Sequence, residues 1–130
     1  MLKPLKLITT IKDFGTSTMY FYSRETKTLL PIETSNYTRQ QSNIFDTLKD
    51  VEDEILNISI YYYLENTFYT YVSIFRNDEI YEINLSFPDA MKISENLNTP
   101  IFVEDSILEE CGFKVTKEMI EAALSQTDIY

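Results

Sequence analysis

Six runs of β-favouring residues, grouped in threes ahead of a helical pattern, leave this chain few folds to choose from. Residues 5–11 alternate well enough for a strand, residues 18–22 (Thr18-Met19-Tyr20-Phe21-Tyr22) are rich in strand formers, and residues 27–32 supply a third run. Asp13-Phe14-Gly15 and residues 23–26 mark the turns between them. Pro31 falls near the end of the third run, and a proline suits a strand edge or terminus. After a polar stretch over 33–41, Ile44, Phe45, Leu48 and Val51 recur at helical spacing behind Ser42 as cap. The order then repeats. Strands are expected at 55–64, 67–75 and 80–85, turns at Glu65-Asn66 and 76–79, and a helix whose Ala90, Ile93 and Leu97 share one side. The fold class is α+β: three strands and a helix, twice over, in one domain spanning residues 1–130. Short C-terminal helices follow, one over 104–111 closed by Gly112 as a C′ residue, and one over 117–124 capped by Thr116.

Several strands are apolar on both faces, which calls for cover on both sides or for a partner subunit. Tyr61-Tyr62-Tyr63 places neighbouring rings on opposite faces, and the chain holds ten tyrosines in all. An interface between copies suits such faces better than a base-stacking platform, because few cations lie nearby. A homo-oligomer joined through tyrosine-rich strand faces is therefore expected. No apolar run reaches membrane-spanning length, and the N-terminal run is too short and polar for a signal peptide, so the expected compartment is the cytoplasm.

The chemistry open to the chain is narrow. It has no histidine, which removes Ser-His-Asp and Cys-His triads and histidine-ligated zinc. Its one cysteine, Cys111, has no partner for an internal disulfide and reads as a small half-buried apolar residue. Twenty-one acids against eleven basic residues give a net charge of −10, which argues against a long-range positive field for nucleic acid. Carboxylates remain. Ser86-Phe87-Pro88-Asp89 has the spacing of an acidic capping box, and Asp89 meets the positive end of a helix dipole. Glu104 and Asp105 begin another helix, where acids are also stabilising. These three flank one helix and its return, so they are the candidate catalytic set, sufficient in kind for Mg²⁺ with Asp89 as its anchor.

Leu30-Pro31-Ile32, Asn66-Thr67-Phe68-Tyr69, Asp89-Ala90 and Pro100-Ile101-Phe102-Val103 together resemble the bifunctional nuclease family. From about Ile44 onward the order and spacing of these motifs are kept. The resemblance implies repeated β3-α units layered as sheet, helices and sheet, often oligomeric. It implies hydrolysis of phosphodiester bonds in DNA and RNA, with a divalent metal such as Mg²⁺. Asp89 carries over directly; Glu104 and Asp105 follow the return strand, where acids are common in the family. Members usually read Arg-Pro-Ser-Asp-Ala where this chain has Ser86-Phe87-Pro88-Asp89-Ala90, and Gln41 falls where they carry histidine. The alternative reading on the same fold is a non-catalytic oligomeric binding or regulatory module.

Overall fold

The computed structural model of the chain describes residues 1–35, 54–119 and 121. Among the described residues the strands and the longer helices run in the order β1 (Leu2–Asp13), β2 (Thr16–Ser23), β3 (Thr28–Ser35), β4 (Ile55–Leu64), β5 (Thr67–Arg76), β6 (Glu79–Leu85), α1 (Phe87–Leu97), β7 (Ile101–Glu104), α2 (Asp105–Cys111) and β8 (Phe113–Lys114). The helix expected around Ile44 to Val51 lies outside the described residues, as does most of the one expected after Thr116. A helical turn does begin at Lys117, where the Met119 N–H donates to Thr116 Oγ1 at 3.2 Å. The fold is α+β with strands dominant. No helix among the described residues is long and apolar enough to cross a membrane.

Local turn chemistry sets the two β-trios. Glu65 and Asn66 both take positive φ (49° and 62°) between β4 and β5, as do Asn77 and Asp78 (54° and 63°) between β5 and β6. Paired positive φ values suit tight hairpins, because they match the right-handed twist of the flanking strands. Leu64 faces Thr67 and Arg76 faces Glu79, so both loops hold only two residues. Gly15, at φ 72°, plays the corresponding part between β1 and β2.

The trios do not form separate sheets. All eight strands join one hydrogen-bonded order, β6-β5-β4-β7-β1-β2-β3-β8. The short return after Pro100 is the joint: β7 runs parallel to β4 and antiparallel to β1. The Ile58 N–H also donates to Pro100 O at 2.9 Å. Pro31 lies within β3 rather than at its end, but β8 pairs only with Thr28 and Leu29. Beyond them β3 has no described neighbour on that side, so a missing N–H there disrupts no ladder.

A single core spans both arms. Phe21, Leu30 and Ile32 come from one arm, Ile58, Ile60 and Val72 from the other, and all are essentially inaccessible. Each such side chain contributes about 1.5–3 kcal/mol by leaving water. Helix α1 meets both arms through its first residue: the Phe87 ring lies 6.1 Å from Phe21 on β2 and 6.4 Å from Phe68 on β5. Ala90 and Ile93 are fully buried on the same helix, as the sequence periodicity predicts.

Gly112 closes α2 for a reason other than the expected left-handed cap. Its backbone is extended (φ −93°, ψ 174°), and its N–H donates to Leu108 O at 3.0 Å. The constraint is space: a Cβ there would stand 2.5 Å from Thr28 Cγ2 and 2.7 Å from Leu108 O. Thr28 is buried and Leu108 O is backbone, so neither yields easily. Gly112→Ala should therefore lower unfolding free energy by about 1–3 kcal/mol. Urea titration checks it against Ser106→Ala, an exposed change on α2 expected to stay within about 0.5 kcal/mol of the parent.

Candidate functional site

Asp89 is the third residue of α1. Ser86 caps the helix, and its Oγ accepts from the Asp89 N–H at 3.3 Å, while Ala90 N–H donates to Ser86 O at 3.0 Å. Pro88 fills an early position where no intrahelical N–H is needed. The capping reading of this segment is thus realised, with the Asp89 carboxylate in the acid-favouring first turn.

Glu104 ends β7 and Asp105 opens α2. Both turn toward the start of the chain. The Met1 ammonium lies 2.6 Å from Glu104 Oε1 and 3.9 Å from Asp105 Oδ2. The Asp105 N–H donates to Met1 O at 3.0 Å, extending the β1–β7 ladder by one bond. Asp105 Oδ1 is buried without a hydrogen-bond partner. The structure therefore brings Glu104 and Asp105 together around a cation of the chain itself. Among the described residues no three His, Cys, Asp or Glu side chains converge as a metal-holding group, so Asp89 does not complete such a set with them. A Mg²⁺ ion anchored by these three carboxylates does not fit this arrangement.

A different constellation surrounds the start of α1. A cleft of about 170 Å³ opens between the first turns of the helix and the ends of β1, β2 and β3. Lys12, Ser17 and Thr34 form one row across the three strands, because Lys12 faces Ser17 and Ser17 faces Thr34. Residues directly opposite in antiparallel strands share a face. Thr10 adds a third hydroxyl, and the helix contributes Pro88, Met91, Lys92 and Glu95. Two ammonium groups and three hydroxyls thus meet one carboxylate, in a chain that is acidic overall.

Sequence reasoning missed this row, and a bulge explains why. Alternation over residues 5–11 puts Leu5, Leu7 and Ile11 on one face. The β1–β2 register shifts between Leu7 and Thr9, leaving Ile8 as the extra residue. Such a bulge inverts the parity of everything after it. Leu5 and Leu7 pack on the core, Ile11 is exposed, and Thr10 and Lys12 turn inward toward α1. Lys92 alone was legible, three residues after Asp89 and hence one turn along the same helix face.

Two other polar groups have clear electrostatics. The hydrogen bond from Tyr61 to Glu82 (2.6 Å), followed by burial, raises the Tyr61 phenol above the usual tyrosine range. Burial, followed by the charge of Glu110, raises the Cys111 thiol, which keeps thiolate scarce at neutral pH. That agrees with the packing role read from the sequence.

The family model for the bifunctional nuclease domain matches residues 26–116. No curated protein matches the chain.

The Met1 amine is raised above its ordinary value of 8.0, first by the hydrogen bond to Glu104 and then by the charges of Asp105 and Glu104. A group whose folded pKa is raised adds stability below its unfolded pKa and loses it as pH climbs through the folded one. With a free amine at Met1, thermal stability should fall from pH 7 to pH 9. Glu104→Gln should shrink that fall, as differential scanning fluorimetry of both proteins across the window would show.

Proposed function

The chain belongs to the bifunctional nuclease domain family, and we propose on that premise that it hydrolyses phosphodiester bonds of DNA and RNA as one domain. The observation that carries the reading is the cleft beside α1. Lys12 and Lys92 are placed to meet phosphate oxygens, and the hydroxyls of Thr10, Ser17 and Thr34 are hydrogen-bond donors of the right kind. Asp89 does not line the cleft itself; it stands one helical turn before Lys92 on α1, and in this scheme it is the base. It takes a proton from an attacking water as the new P–O bond forms and the P–O bond to the leaving sugar oxygen breaks, that oxygen leaving with the bonding pair and taking a proton from solvent. No step is assigned to Glu104 or Asp105, whose carboxylates face the Met1 ammonium.

A second reading has its own support. Tyr62, Leu64, Tyr69, Phe75 and Ile80 are exposed on the β4–β5–β6 arm, and Tyr61 meets Tyr71 edge to face with ring centroids 5.3 Å apart. A non-catalytic oligomeric module would use that face, with copies joined through it.

Incubation of the purified chain with labelled single- and double-stranded DNA and RNA, with and without EDTA, separates the two. The nuclease reading expects cleavage, with Asp89→Asn reducing the rate at least about 100-fold and Lys12→Ala about 10-fold or more. Asp89→Asn should leave stability within about 1 kcal/mol of the parent. An Asp89→Asn protein as active as the parent overturns the site. A parent that cleaves nothing under any of these conditions, yet is a dimer or larger by light scattering, transfers the assignment to the binding module.

A further inference from the structure

A second concave surface lies on the other face of β1, away from the α1 cleft. Pro4, Leu5, Lys6, Ile8, Tyr22 and Arg24 line a groove of about 670 Å³. All six precede residue 26, where the family match begins, so the groove is a feature of this chain outside the matched domain.

Its construction follows from the strand pairing. β1 is flanked by β7 along residues 2–5 and by β2 from Lys6 onward, so the strand changes neighbours at this point. Lys6 stands directly opposite Tyr22, which puts the ammonium and the ring on one face. The bulge at Ile8 exposes that residue, 55% accessible, beside them. Arg24 follows Tyr22 by two residues and is exposed at the start of the turn into β3.

The charge pattern is what sets this groove apart. No carboxylate lines it, in a chain with ten more acids than bases. Among the described residues neither Lys6 nor Arg24 has an ion-pair partner, and the nearest acid in sequence, Glu25, is 4.0 Å from Lys3 instead. Two cations and an aromatic ring with an apolar floor are the elements of a single-strand nucleic-acid platform, in which phosphates meet the cations and a base lies on the ring. A duplex offers no open base to Tyr22.

We propose that this groove binds a single-stranded stretch of DNA or RNA, with a base on Tyr22 and its flanking phosphates on Lys6 and Arg24. The assignment rests on the reading of the chain as acting on nucleic acid, but it does not need the cleavage step. Fluorescence anisotropy with labelled oligo-dT and oligo-U, at several salt concentrations, tests it. The combined Lys6→Ala, Arg24→Ala variant should bind at least about 10-fold more weakly and flatten the log–log salt dependence by about 1.4, the value for two single-strand phosphate contacts. Tyr22→Ala should weaken binding about 10-fold, and Tyr22→Phe should restore it. Anisotropy reads binding without cleavage, which keeps this test apart from the cleavage assay. A parent that binds no oligonucleotide, or variants that bind as tightly as the parent, overturns the proposal even if cleavage is observed. Loss of self-association in the groove variants, with oligonucleotide binding unchanged, overturns it in favour of a protein interface.

Discussion

Four residues of β7 hold the two arms of this fold together. Ile101 and Val103 are buried in the common core, while the backbone of Ile101–Glu104 is shared between β4 on one side and β1 on the other. A parallel neighbour cannot be reached by a tight turn, so the chain must cross over after β6, and α1 is that crossover. The position of Asp89 at the head of α1 and of Glu104 at the end of β7 are therefore two consequences of one connection. Pairing sets Leu85, just before α1, in one cross-strand row with Val103, just before Glu104, with β5 and β4 between their strands, so the two carboxylates are parted across the sheet rather than along it.

Bulges decide what each face presents. The irregularity at Ile8 turns Thr10 and Lys12 toward α1 while leaving Lys6 on the outer face with Tyr22. A second, between Ile60 and Tyr62, does the same for the tyrosine triplet. Tyr63 faces Phe68, 4.5 Å between centroids, on the core side, and Tyr62 faces Tyr69 on the outer side. Tyr61, the inserted residue, reaches outward to Glu82. One extra residue per strand is thus enough to give a single strand polar or aromatic side chains on both faces.

The parts of the structure that were legible in the sequence are those governed by local chemistry. Turn residues marked both two-residue hairpins of the second arm, β4 runs over the residues expected, and Ser86 and Thr116 cap as their spacing suggests. What was not legible depends on contacts distant in sequence. Nothing in residues 101–104 says that β1 will pair with them, and nothing near Glu104 says that its partner is Met1. The closing role of Gly112 was readable, but its cause was not: the crowding comes from Thr28, far away in the chain. Lys12 was missed because a bulge has no reliable sequence mark, and an unbroken strand would place it on the outer face.

Net charge is a poor guide to what such a surface can hold, because screening makes it local. At physiological salt the Debye length is about 8 Å, so exposed carboxylates farther than that from a bound phosphate are largely screened. What matters is the sign of the immediate lining. In the cleft that is two lysines against Glu95, and in the groove Lys6 and Arg24 with no acid. Elsewhere acids are occupied by the chain's own cations: Glu104 by the Met1 amine and Glu54 by Arg76 at 2.7 Å. Each such pair removes a carboxylate from the repulsion a polyanion would meet, and also a cation from its attraction. Lys12 and Lys92 on one face of β1, and Lys6 and Arg24 on the other, line concave surfaces, so on the proposed reading an acidic chain of this design would meet a phosphate backbone through short-range contacts, with little help from long-range steering.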